Sequence, residues 1–203
     1  MVLLFRRNEQ PTNVLSKDPV VCVNVLTLFY ENGRGHEVRS TLDWVESVLV
    51  NRAYISGTSY YVGADQFLFF FSRFLRVAPE VRRRLAPTFK ERVLERFGVD
   101  ANPLSLAARI LAAAAVEIVD QRDLETLLAL QCEDGSWDNG WFYRYGASDI
   151  FIRNDGVTTA FAIRAIQEVE ILQAIQSKSV INTLDPLSVV VGHLLSLRHY
   201  FGF

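Results

Sequence analysis

An all-α fold of helical hairpins in two layers is predicted by three features: helix starts that recur at a regular interval, an alternation of nearly uncharged with amphipathic helices, and a scarcity of strand patterns. Asp18-Pro19, Asn102-Pro103 and Asp185-Pro186 each open an apolar run. An Asx side chain at such a position accepts from the first free N–H groups of a helix. The proline after it already has a helical φ and carries no N–H to leave unpaired. Gly63-Ala64-Asp65 ahead of QFLFFFSRFL and Asn154-Asp155-Gly156 ahead of VTTAFAIRAIQEVEIL mark two further starts. The five lie roughly forty residues apart, the interval of a two-helix repeat.

Taken in order, residues 1–17 lack periodicity and form an N-terminal arm, leaving 18–203 as a single domain. The helices starting near residues 19, 64, 103, 156 and 186 are long apolar stretches, three of them interrupted by an arginine, Arg73, Arg109 or Arg164. Such helices are buried on nearly every side. Between them lie charged segments with one apolar face. Glu37 to Arg52 carries Leu42, Val45, Val48 and Leu49, Val81 to Phe97 carries Leu85, Phe89, Val93 and Phe97, and Arg122 to Gln131 carries Leu124, Leu127 and Leu128. The two kinds taking turns imply an inner layer and an outer one, with any cavity bordered by the inner. Tyr54 to Val62 and Trp141 to Gly146 are β-rich or aromatic but interrupted by glycine, and are expected as loops at hairpin ends.

The chain has 203 residues, half of them hydrophobic, and a net charge of -2. That describes one globular domain with a large core, and it excludes the global positive field that would draw a protein to nucleic acid. Cys22 and Cys132 match neither a disulfide framework nor a CxxC site, so reduced thiols in a cytoplasmic setting are expected. The apolar run Phe67 to Phe71 is too short to span a bilayer. His36, His193 and His199 are dispersed, so no metal site is expected, and neither a DDxxD cluster, a GxSxG elbow nor a phosphate-cradling glycine loop occurs.

The segment Leu127-x3-Gln131-Cys132-Glu133-Asp134-Gly135-Ser136-Trp137 resembles the QW repeat of squalene and hopene cyclases, and more broadly the α/α-toroid superfamily that includes protein prenyltransferase β subunits. Its local logic stands without that name. A glutamine at a helix end bonds exposed carbonyls, an Asp-Gly turn reverses the chain, and an indole packs beneath and donates its N–H. Asn154 to Ala165 resembles the inner helix that follows this motif. The resemblance implies an α/α toroid or open helical-hairpin barrel. The chain supplies fewer helices than a closed ring of that kind, so either the ring is open, or a second copy or a partner chain completes it, or the fold is reduced to a smaller cavity.

Ser16-Lys17-Asp18-Pro19 at the start of an inner helix is similar to the DxDD motif of class II terpene cyclases, with Asp18 in the place of the middle, proton-donating aspartate and Ser16 and Pro19 in flanking places. Asp18 reads equally as a plain helix cap. The resemblance implies proton-initiated cyclisation or isomerisation of a hydrophobic isoprenoid in an apolar, aromatic-lined cavity. Asp18 would be the donor, with Asp155 or Asp65 as substitutes. The faces of Tyr61, Phe70, Trp141, Tyr143 and Tyr145 would stabilise developing positive charge. Asp149 and Asp155 flank the aromatic loop. A lone arginine on an apolar helix needs a carboxylate, a carbonyl or an anionic ligand, which makes Arg109 and Arg164 candidate anion contacts, with Glu117 and Glu168 as the structural alternatives. No cofactor is implied. A non-catalytic lipid-binding or ring-completing module, or a cyclase of a non-terpenoid chain, fits the same features.

Overall fold

A computed structural model describes residues 18–145 and 150–201, with side-chain surroundings as far as Lys178. The expected arm at 1–17 and Asp149 lie outside the described residues. The elements are α1 (Pro19–Glu31), a 3-10 turn (Gly35–Val38), α2 (Arg39–Val50), α3 (Ala64–Val77), α4 (Pro79–Leu94), α5 (Pro103–Ala114), α6 (Gln121–Ala129), β1 (Trp141–Arg144), β2 (Phe151–Arg153) and α7 (Asp155–Phe201).

The fold is all-α apart from one short hairpin, and four of the five expected starts open helices. Asp18 Oδ1 accepts from Val20 N at 2.9 Å and Val21 N at 3.2 Å, capping α1 with Pro19 in the first turn. Asn102 Oδ1 accepts from Ser105 N at 3.0 Å, and Asn154 Oδ1 from Val157 N at 3.0 Å. The fifth expectation is corrected: α7 runs unbroken through Asp185-Pro186. No glycine or proline lies between Gly156 and Pro186, so nothing unwinds the preceding turns to make Asp185 a cap.

The layers follow from the neighbours. α1 packs on α3, α3 on α5 and α5 on α7, while α2, α4 and α6 pack on α1, α3 and α5 in turn. The first core lies between α1, α2, α3 and α4. Tyr54 stacks on Phe67 at 4.6 Å between ring centres, and Phe71 stacks on Phe89 at 5.6 Å. The second joins α5, α6 and α7 through Leu106, Ile110, Leu124, Leu127, Ala162 and Val169 around Trp137. Trp137 is 2% exposed, its indole donating to the Leu127 carbonyl at 2.7 Å and its backbone N–H to Thr159 Oγ1 at 3.0 Å. Gln131 donates to Gly135 O at 2.9 Å, and Gly135 takes φ +85°, a value that favours glycine. The turn thus ties the end of α6 to the start of α7.

The loop expected at Trp141 to Gly146 is also corrected. Trp141–Arg144 pairs antiparallel with Phe151–Arg153, Tyr143 opposite Ile152, with a bulge between Trp141 and Tyr143. The aromatic run found its partner in Phe151-Ile152-Arg153, which likewise favours extended backbone. Tyr54 to Val62 stays irregular, as expected.

Candidate active site

α3, α5 and α7 run parallel. Gln66 near the start of α3 donates to Ser105 near the start of α5, and Phe69 of α3 meets Phe161 of α7 at 4.9 Å. Between these helices lies a pocket of about 350 Å3 with Phe69, Leu111 and Phe161 as apolar lining and Arg73, Arg76 and Arg164 as its cations. On α3, residues 69, 73 and 76 share one face by their spacing, as do residues 161, 164 and 168 on α7. Arg164 pairs with Glu168, whereas Arg73 and Arg76 have no carboxylate partner among the described residues.

A row of rings leads away from this pocket. Phe69 touches Phe70 at 5.3 Å, Phe70 meets the edge of Tyr61 at 5.5 Å, and Tyr61 meets Phe142 at 6.3 Å and Tyr143 at 6.2 Å. Tyr60 stacks on Tyr143 at 5.4 Å. Loop, strand and two helices contribute to one aromatic surface. Asp18 adjoins its far end, Oδ2 accepting from Tyr60 N at 3.0 Å. Burial, then the Asp18 charge and then Tyr143 push the Tyr61 phenol above its ordinary pKa.

Of the expected aromatic residues, Tyr61, Phe70 and Tyr143 come together. Trp141 pairs instead with Phe151 at 5.8 Å on the exposed hairpin, and Tyr145 is largely exposed at the end of β1. The row also recruits Phe69, Phe142 and Phe161, and the pocket Arg76. For Phe69, Arg76 and Phe161 the spacing with Arg73 and Arg164 along α3 and α7 was the available signal, whereas Phe142 lies on β1 and joins the row only through the strand pairing.

The expected acids and arginines fall into different surroundings. Arg109 is fully buried and spends its guanidinium on Asp65, at 3.1 and 3.2 Å, and on Asp123, at 2.6 Å. Asp65 is 1% exposed and also held by Arg96 at 3.1 and 3.2 Å. Two guanidiniums occupy both oxygens of this one carboxylate, so Asp65 belongs to the buried network and does not face the pocket or the row of rings. Arg109 likewise turns to its carboxylates, neither of them the expected Glu117, and its full burial keeps it from a ligand. Asp18 is 4% exposed and accepts three backbone N–H bonds. Asp155 Oδ1 is buried without a hydrogen-bond donor, and Oδ2 lies 3.7 Å from Arg153. Nine residues separate Asp155 from Arg164, about two and a half turns, which puts it on the face of α7 turned away from the pocket.

A larger cleft of about 650 Å3 opens at the ends of α1 and α3, but its lining mixes His36, Arg39 and Arg84 with Asp43 and Glu80, so no single charge or ring surface converges there. Among the described residues no group of three or more His, Cys, Asp and Glu is placed to hold a metal ion, and no helix is long and apolar enough to cross a membrane.

No protein-family model and no solved structure matches the chain. Over 151 residues, 73% of this chain, the sequence is 45% identical to drimenol cyclase drtB of Aspergillus calidoustus. The match covers 29% of that protein, so the chain spans less than a third of the relative's length. The similarity relates the chain to a terpene cyclase-like family.

Proposed function

We propose that this chain holds and cyclises a hydrophobic isoprenoid bearing an anionic end, the anion at Arg73, Arg76 and Arg164 and the hydrocarbon along the row from Phe161 to Tyr61. The observation that carries this reading is the joining of a cationic pocket to a continuous aromatic surface. Similarity to a drimenol cyclase supports isoprenoid chemistry. Guanidinium forks suit phosphate oxygens. Ring faces stabilise a carbocation through their quadrupoles without supplying a nucleophile to capture it.

In the proton-initiated form of the reaction, a carboxyl group transfers its proton to the terminal double bond of the chain. Neighbouring double bonds attack the resulting cation to close rings, and loss of a proton ends the sequence. Asp18 is the carboxyl adjoining the row at the end remote from the arginines, where the tail of a chain anchored by its head would lie. Three backbone N–H donors are in place to hold the carboxylate left behind. The test is incubation with farnesyl and geranylgeranyl diphosphates, with products identified by mass spectrometry. Asp18→Asn should abolish cyclic products while folding persists, whereas undiminished turnover removes Asp18 as the donor.

A second reading is favoured by the same hydrogen bonds and by the length of the relative. If Asp18 serves only as cap and loop contact, the chain is an isoprenoid-binding or ring-completing module whose acid comes from elsewhere in a longer assembly. Tight binding of farnesyl diphosphate by wild type without any turnover selects this reading.

A further inference from the structure

The loop between α2 and α3 has no ladder to fix its carbonyl groups, yet it carries Tyr60 and Tyr61, the rings that extend the row beyond α3. One residue meets three consecutive carbonyls of this loop. Arg144 donates from Nη2 to Thr58 O at 3.1 Å, from Nε to Ser59 O at 3.1 Å, and from its backbone N–H to Tyr60 O at 2.8 Å. On the other side of the same peptide, Tyr60 N–H is held by Asp18. Thr58 N–H donates to Tyr61 O at 2.7 Å and Tyr61 N–H to Thr58 Oγ1 at 3.0 Å, which closes the turn on itself. β1 therefore supplies both the rings that Tyr60 and Tyr61 touch, Phe142 and Tyr143, and the clasp that presents those tyrosines to them.

We propose that Arg144 is a positioning residue for the aromatic wall: by holding the 58–60 backbone against β1 it sets the Tyr61 ring between Phe70 and Tyr143, and so fixes the surface along which a bound hydrocarbon folds. The side chain suits the task because a planar fork meets two adjacent carbonyls with two nitrogens in fixed geometry, which the one nitrogen of a lysine ammonium does not reproduce. A turn closed only on itself can still shift as a unit against its neighbours, and a misplaced ring costs a reaction that depends on chain folding more than it costs binding. The consequence for chemistry rests on the cyclase-like reading. The clasp itself does not.

The two are separated by measuring both on full-length protein. Tyrosine labelled at Cζ, with Tyr61→Phe to assign the signal, reports the Tyr61 titration by NMR in wild type, Arg144→Lys and Arg144→Met. The groups acting on that phenol are Asp18 and Tyr143. Release of the loop should lower the Tyr61 midpoint in Arg144→Met as the ring gains water, with Arg144→Lys in between. An unchanged midpoint in folded Arg144→Met overturns the proposal. In turnover of farnesyl diphosphate, Arg144→Met should reduce kcat roughly tenfold, raise the share of acyclic products and leave KM within about twofold. Equal loss in kcat and KM with unaltered products also overturns the positioning role. A shifted Tyr61 midpoint in a protein whose wild type makes no product keeps the clasp and rejects the cyclase reading. Should Arg144→Met fail to fold, Arg144→Lys carries the same comparison, since it retains charge and length and loses only the fork.

Discussion

Arg109 joins three helices through two carboxylates, and removing it would leave Asp65 to Arg96 alone and Asp123 without a cation. Arg109→Met should destabilise the fold by about 3–5 kcal/mol in urea denaturation, as expected for one partner taken from a buried ion pair. A loss below about 1 kcal/mol would show that water reaches the network. Asp120, which caps α6 by accepting from Asp123 N at 3.2 Å, gives a second handle. Its Oδ2 is buried without a hydrogen-bond donor, and burial together with the adjoining Asp123 carboxylate pushes its pKa up to about 7. The folded protein therefore keeps a proton that the unfolded chain has released above about pH 4, so stability falls as pH rises from about 4 to about 7. Asp120→Asn keeps the cap and substitutes an N–H for the proton. It should flatten that slope and stabilise the protein above pH 7, and a stability profile parallel to wild type would place the titrating group elsewhere.

At the scale of elements, the turn from α6 to α7 depends on Trp137, which fills the second core and bonds the last turn of α6. Trp137→Ala should cost about 3–5 kcal/mol in thermal or chemical unfolding, and Trp137→Phe about 1 kcal/mol beyond its change in volume, for the lost N–H bond. Equal losses in the two variants would mean that the N–H bond, which both remove, outweighs the packing that only Trp137→Ala gives up. This turn was legible because each part is local: glutamine, Asp-Gly and indole lie within seven residues. The caps at Asp18, Asn102 and Asn154 were legible for the same reason. Asp185-Pro186 has the identical signature, but its meaning depends on whether the preceding turn has already unwound, which the dipeptide does not encode. The hairpin escaped because a pairing is a property of two segments. Arg109 and Arg164 look alike in sequence, each a cation on an apolar helix. Asp65, 44 residues away in the chain, makes the first a buried strut, whereas Glu168 one turn further on leaves the second at the pocket.

For the whole molecule, the consequence of parallel inner helices is convergence: cations from α3 and α7 meet over Leu111 of α5, though neither helix alone is strongly basic. Three of the five expected aromatic residues adjoin and two do not, since which rings meet is decided by helix phase and strand pairing together. If the pocket receives the anionic end of an isoprenoid, binding divides into a charged part and an apolar part that respond to different substitutions. Arg73→Ala with Arg76→Ala should weaken farnesyl diphosphate binding in calorimetry by at least about tenfold, since each charge-assisted bond contributes on the order of 1.5–3 kcal/mol. Farnesol binding should hardly change. Arg164→Ala should weaken the diphosphate further, because it also leaves Glu168 unpaired beside the anion, and Arg164→Ala with Glu168→Gln should recover part of that loss. Added salt should narrow the gap between diphosphate and alcohol in wild type and leave the double arginine variant nearly indifferent. Equal weakening of both ligands would mean that the arginines support the shape of the pocket only, and no weakening of either would move the binding site away from α3, α5 and α7.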